Sequence, residues 1–230
     1  MHGLTVAVLA AALGLYLLGV ARLWRRAGAG RGIRLPHLAA FGAGWLVVAA
    51  ALLSPLHHYA ETLLWAHMVQ HELLMVLAAP LLVLGKPVEA WSWVLPLRIP
   101  RLLGDATFAW TLHAAAVWLW HAPRLFEAAV GSDWLHLAQH ASFFVSAALF
   151  WWTVLAPAAR PLAAVVSLLA TMIHTGVLGA LMTFSRTSWY AGYALEDQQL
   201  AGLVMWVPAG IAYPLGALLI VSRSLLYSSR

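Results

Sequence analysis

Seven stretches of mostly apolar residues, separated by short runs of arginine, glycine and proline, constrain this chain more than any other feature. They fall near residues 3–23, 37–54, 61–84, 105–122, 134–156, 161–184 and 199–222. A bilayer core of about 30 Å takes about 20 apolar residues in helical form. Inside lipid every backbone N–H and C=O must be satisfied within the protein, and a helix does this locally. The sequence therefore predicts an all-α, polytopic membrane protein with seven transmembrane helices. The breakers are the Gly/Arg run 25–34 with Pro36, then Pro55, the segment 85–104 with its three prolines, Pro123, and Pro157 with Pro161. No linker or low-complexity tract divides the chain, so residues 1–230 read as one domain.

A soluble helical bundle is the competing reading, and composition argues against it. Of 230 residues, 63% are hydrophobic and 9% are charged, against about 25% charged in ordinary soluble domains. A chain this short has too little interior to hide that much apolar surface from water. Membrane lipid is the natural partner, and the 13 tryptophans suit the headgroup level, where an indole is buried and its N–H stays wet. The net charge of +5 does not imply nucleic acid, because the arginines lie between apolar runs rather than on one stripe.

Those arginines set the orientation. Arg22, Arg25, Arg26, Arg31, Arg34, Lys86, Arg98, Arg101, Arg160, Arg223 and Arg230 fall on one side, and only Arg124 and Arg186 on the other. Basic residues in short loops stay cytoplasmic, so the N-terminus is expected outside and the C-terminus inside, as an odd number of crossings requires. Residues 1–23 lack a basic start and end in a basic cluster, the reverse of a secretory signal. The first span is expected to remain in the protein.

Eleven histidines are unusual in such a chain, because ionisable groups in a bilayer are rare and face a polar interior. Laid on the topology, they gather in the outer half. His57 and His58 fall in the loop after span 2. At 1.5 Å per residue, His67 lies about 9 Å and His71 about 15 Å below the start of span 3. His121 ends span 4, with His113 about 12 Å beneath it. His136 and His140 open span 5 at depths of about 3 and 9 Å, and His174 lies about 15 Å below the outer end of span 6. On the arginine-rich side there is only His37.

Two pairs, His67 with His71 and His136 with His140, have i, i+4 spacing, which stacks both rings on one helix face and suits chelation. Without cysteine, thiolate zinc sites and iron–sulfur clusters are excluded. Neutral imidazole suits copper, zinc or iron, and thioether sulfur suits Cu(I), so Met68, Met75 and Met172 beside the histidines are candidates as well as ordinary packing residues. External location and missing thiols favour copper. Haem held between histidines of spans 3 and 5 is the alternative, a b-type electron carrier. A proton path is a third, but the inner half offers no ionisable ladder. Glu72 is expected about 100° around the helix from His71. Asp197 reads either as the N-cap of span 7 or as part of the site, and Asp105 as the cap of span 4. No phosphate loop, nucleophile triad or hydrolytic carboxylate pair is present, so the chain is expected not to be an enzyme.

Several segments in order resemble a known family. They are HMVQHELLMVLAAPLLVLGKP in span 3, LWHAP, LHLAQHASFFVSAALFWW in span 5, HTGVLGALMTFSRTSWY, and EDQQLAGLVMWVPAGIAY. Together they cover most of residues 57–214 and are similar to the integral-membrane cytochrome c oxidase assembly factors of the CtaG type, which serve caa3 oxidase. Matching positions are His67, His71, His121, His136, His140, His174, Asp197, Gln198 and Gln199. Where the family often has Glu before the second histidine of span 5, this chain has Gln139, which can hydrogen-bond an imidazole but cannot be its anionic partner. The resemblance implies a multi-pass protein of the bacterial plasma (inner) membrane that handles copper for haem–copper oxidase maturation. Its partners would be oxidase subunits and a periplasmic copper carrier, and its metal residues His67, His71, His121, His136, His140 and His174, with Met68 and Asp197.

Overall fold

The computed structural model describes residues 2–156 and 159–228; Pro157 and Arg230, named above as a breaker and a basic tail residue, lie outside them. Among the described residues there is no strand. The helices are α1 (His2–Ala27), α2 (Leu35–Leu53), α3 (Pro55–Ala60), α4 (Leu64–Glu72), a π-helical segment (Leu73–Ala78), α5 (Ala79–Leu84), α6 (Pro87–Ser92), α7 (Ala106–His121), α8 (Pro123–Val130), α9 (Asp133–Leu155), α10 (Pro161–Thr183) and α11 (Leu195–Ser228). A 3₁₀ turn, Arg101–Gly104, precedes α7.

Among the described residues, five helical stretches are long and apolar enough to cross a membrane: Gly3–Ala27, Leu35–Leu53, Leu64–Leu84, Pro161–Thr183 and Leu195–Leu225. They coincide with expected spans 1, 2, 3, 6 and 7. The other two expected spans are helical but differ in character. α7 has only 16 residues, and the first two turns of α9 carry Asp133, His136, Gln139 and His140. Five of the breaker prolines sit at element boundaries and start the next helix: Pro36, Pro55, Pro87, Pro123 and Pro161 are all in a first turn, where the missing N–H has no helical partner to lose. The predicted Asp105 cap is present, its carboxylate accepting from Phe108 N at 2.7 Å.

The stretch Leu64–Leu84 is the central element. Half of its most apolar window is buried, against 17–33% for the other four. Its π-helical segment runs into a proline. The Ala79 N–H reaches back five residues to the Leu74 carbonyl, and in that register the next donor, Pro80, has no N–H. The Met75 carbonyl would be orphaned, but Trp151 Nε1 of α9 donates to it at 3.0 Å. The carbonyl that the proline strands thus becomes the point of attachment to α9. The main core lies around this junction, with Phe143, Phe150 and Trp151 of α9, Leu168 of α10 and Tyr213 of α11 among its buried members.

α10 and α11 close the other side. A Cβ on Gly179 would lie 2.8 Å from the Gly202 carbonyl oxygen, so the two backbones meet where only glycine fits. α11 is longer than the expected 199–222, because it begins four residues earlier at Leu195 and runs to Ser228 through Pro208 and Pro214.

Candidate metal centre

The helix bearing His67 and His71 begins without a cap of its own. The residue before it, Leu63, offers no side-chain acceptor, which leaves the first N–H groups of α4 unsatisfied. Asp197 of α11 supplies both acceptors: Oδ2 takes the Leu64 N–H at 2.8 Å and Oδ1 the Trp65 N–H at 3.0 Å. The sequence offered Asp197 as a cap of its own helix or as a metal ligand. The structure gives it a third role, with both oxygens engaged by the neighbouring helix 133 and 132 positions away. The adjacent glutamines extend the clamp. Gln198, fully buried, accepts from Trp189 N and donates to the Met182 carbonyl, and Gln199 donates to the Ser185 carbonyl.

So positioned, α4 presents its two histidines to α7 and α9. The rings of His67 and His71 lie 4.3 Å apart, centre to centre, and those of His136 and His140 are also 4.3 Å apart. The pairs face each other: His67 is 5.2 Å from His136, and His71 is 5.1 Å from His140. His121, at the end of α7, adds a fifth ring 6.1 Å from His71. Ligand atoms of His67, His71 and His140 all fall within 4.8 Å of one another. All three are buried.

Whether these residues suit a metal is tested by their unspent hydrogen-bonding capacity. His67 Nε2, both nitrogens of His71, and Nε2 of His121, His136 and His140 are buried without a hydrogen-bond partner. Buried polar atoms are nearly always paired, so these six nitrogens leave the cluster with free ligand atoms that could hold a metal ion; His174, outside it, also has both ring nitrogens unpaired. The His121 tautomer is suited to this. Its Nδ1 lies 2.6 Å from the Val117 carbonyl, which accepts the ring proton and leaves the Nε2 lone pair free, the arrangement that orients metal-binding imidazoles. Tyr190 steadies the same residue by donating to the His121 carbonyl at 2.9 Å. Burial pushes the Tyr190 phenol above its usual range, so it keeps that proton.

The remaining expected site residues lie elsewhere. His174 packs edge-on to Trp110, ring centres 5.7 Å apart. Its titratable neighbour is His113, which bonds Ser146 Oγ at 3.1 Å. Depth alone placed His174 near the others, but α10 turns it toward α7 below the cluster. Met68 is fully buried in the main hydrophobic core, about 100° around the helix from His67. Glu72 is about 100° around the helix from His71 and lies within electrostatic reach of Tyr213 on α11.

Three participants escaped the sequence reading as site residues. His57 stacks on His136 with ring centres 6.3 Å apart. Gln70 joins them, donating to the Ala51 carbonyl at 2.6 Å and lying 3.3 Å from His57 Nδ1. Gln139, noted only as a departure from the family, is fully buried with both amide atoms unpaired. Its i−1 position to His140 was the available signal.

A family model described as cytochrome c oxidase caa3 assembly factor matches residues 14–225. Two curated relatives, the uncharacterized proteins Mb0105 of Mycobacterium bovis and MT0111 of Mycobacterium tuberculosis, are each 28% identical over 201 residues. The alignments cover 70% of this chain and 30% of each relative. The chain thus spans about a third of the length of the curated relatives it matches. No solved structure matches.

Proposed function

The chain belongs to the cytochrome c oxidase caa3 assembly factor family, and from that premise we propose that it handles copper for a haem–copper oxidase under assembly. The role is that of a non-catalytic chaperone in the bacterial plasma membrane. It crosses seven times, with the N-terminus and the histidine cluster toward the outer face and the arginine-rich loops in the cytoplasm. It takes copper from a periplasmic carrier and yields it to an oxidase subunit. Five apolar helices support the membrane reading, and the excess of basic residues in alternate loops supports the orientation.

The observation that carries the metal reading is the convergence of six unpaired imidazole nitrogens from α4, α7 and α9. An all-imidazole set suits copper, zinc or iron by ligand type. Charge narrows the choice. Asp197 is engaged by the start of α4 and Glu72 lies within reach of Tyr213. Glu61 and Asp133 reach only His136 at the edge of the cluster, so among the described residues the buried trio of His67, His71 and His140 has no carboxylate beside it to compensate a cation. The Born cost of burial grows with the square of the charge, making a divalent ion about four times as costly as Cu(I). Haem fits poorly: the rings pack on one another, and on Phe126 and Phe143 at 5.3 and 4.6 Å, where a porphyrin would need to lie.

Exchange requires an entrance, and histidines of graded exposure provide one. The His58 side chain is 83% exposed, His57 and His136 are half-buried, and His67, His71 and His140 are buried. From His57 inward, ring centres lie 6.3 Å apart to His136, 4.3 Å on to His140 and 5.1 Å on to His71, so an ion meets a new imidazole before leaving the last. Transfer then needs no fully dehydrated intermediate.

The test is metal analysis of the purified chain with competitive Cu(I) titration. The expected result is about one Cu(I) per chain, lost in a His67→Ala/His71→Ala variant and retained in His174→Ala. A double variant that still melts cooperatively and binds Cu(I) with unchanged affinity refutes the assignment. If the double variant does not fold, N-only coordination by X-ray absorption of the Cu(I)-loaded wild-type chain decides; sulfur ligation would overturn the proposal.

A further inference from the structure

At the opposite end of the molecule is a second built site, independent of the copper reading. α1 crosses α6 so closely that Gly19 lies against the Ala90 carbonyl, where a Cβ would collide with backbone. One turn beyond each contact residue come Arg22 on α1 and Trp93 at the end of α6. Arg22, Arg25 and Arg26 follow at i, i+3 and i+4 and share a face. With Trp93 they line a cavity of about 410 Å³.

Two of the three exposed arginines are held against Trp93. Arg22 Nη1 donates to the Trp93 carbonyl at 3.3 Å, and the Arg26 guanidinium sits over the Trp93 ring, 5.8 Å from its centre. Among the described residues the only ion pairs are His58–Glu61 and Lys86–Glu89, so these guanidinium groups have no carboxylate partner. The nearby Glu89 is already committed to Lys86. Three concentrated, unneutralised cations with planar donor forks match one chemistry above others, a phosphate group.

Exposed apolar side chains on the elements that flank the cavity indicate what carries the phosphate. Leu18, one turn before Arg22 on the same face, is 41% exposed, and the chain leaving Trp93 exposes Leu95, Leu97 and Ile99. A soluble anion gains nothing from these side chains, whereas an acyl chain would cover them. We infer that the cavity between α1 and α6 binds the phosphate headgroup of an anionic membrane lipid, with an acyl chain along Leu18. Basic pockets between transmembrane helices on the cytoplasmic side take such headgroups, and the site lies among the arginine-rich loops.

The experiment is a lipid titration of the full-length purified chain by native mass spectrometry, comparing phosphatidylglycerol with phosphatidylcholine, and with inorganic phosphate as a third arm. The wild-type chain is expected to retain phosphatidylglycerol over phosphatidylcholine by about tenfold. Arg22→Gln/Arg26→Gln should abolish that preference. Arg98→Gln/Arg101→Gln, which removes equal charge from the third loop, should keep it. Should the first variant fail to fold, Arg22→Lys/Arg26→Lys decides, since it keeps the charge but loses the fork and the stacking, and should lower the preference about threefold. No preference in the wild type, a preference unchanged by the Arg22/Arg26 variants, or an equal loss at Arg98/Arg101 overturns the inference. Displacement of the lipid by millimolar inorganic phosphate identifies a free-anion site and overturns the lipid assignment.

Discussion

Replacing Asp197 with alanine removes both acceptors that satisfy the start of α4 and leaves the Leu64 and Trp65 N–H groups facing an apolar side chain. The cost can be worked from those two bonds. A hydrogen bond to a charged partner contributes about 1.5–3 kcal/mol, and loss of an N-terminal cap costs about 0.5–2 kcal/mol. Asp197 is half-buried, so water recovers part of the loss, and about 2–3 kcal/mol is expected for alanine. Asparagine keeps one acceptor and should cost about 1 kcal/mol. At about 2–4 °C per kcal/mol for a chain of this size, thermal melts in detergent should fall by about 4–12 °C for Asp197→Ala and about 2–4 °C for Asp197→Asn. Amide exchange at Leu64 and Trp65 should quicken in the same order. Copper stoichiometry of Asp197→Asn should be unchanged, because the carboxylate touches no histidine. A wild-type melt for Asp197→Ala, or loss of copper from Asp197→Asn without loss of stability, would refute the clamp and return Asp197 to the ligand set.

Two further outcomes follow from particular contacts. Trp151→Phe leaves the Met75 carbonyl buried without the donor it needs in the π-helical segment, so stability should drop by about 1–3 kcal/mol, read as a melting shift with copper stoichiometry unchanged; an unshifted melt would mean the carbonyl has another partner. His57→Ala removes the half-buried step between the surface and His136, so Cu(I) uptake in stopped-flow competition should slow several-fold while the equilibrium stoichiometry stays the same; equal rates would remove His57 from the entry row.

Much of the architecture is legible in one dimension because lipid imposes a local rule. Each apolar run must form its own backbone hydrogen bonds, so run length and breaker position give helices to within a few residues, as for α2 and α10. Histidine spacing is local too: i, i+4 places His67 over His71 and His136 over His140 whatever the neighbours do. Other features depend on partners far away in sequence. In the π-helical register Pro80 strands the Met75 carbonyl, and Trp151 must arrive from 76 positions on to satisfy it.

The same division decides the site. Sequence alone determined an all-helical chain with paired imidazoles near one end and arginines at the other, because hydropathy, helical period and charge are properties of consecutive residues. Only the tertiary structure decided which imidazoles share a pocket. The azimuth of each helix sends His71 and His140 inward together and turns His174 toward Trp110, and depth carries no information about azimuth. It also decided that Asp197 serves a neighbouring helix, since a carboxylate at a helix start goes to whichever unsatisfied N–H groups packing brings within reach.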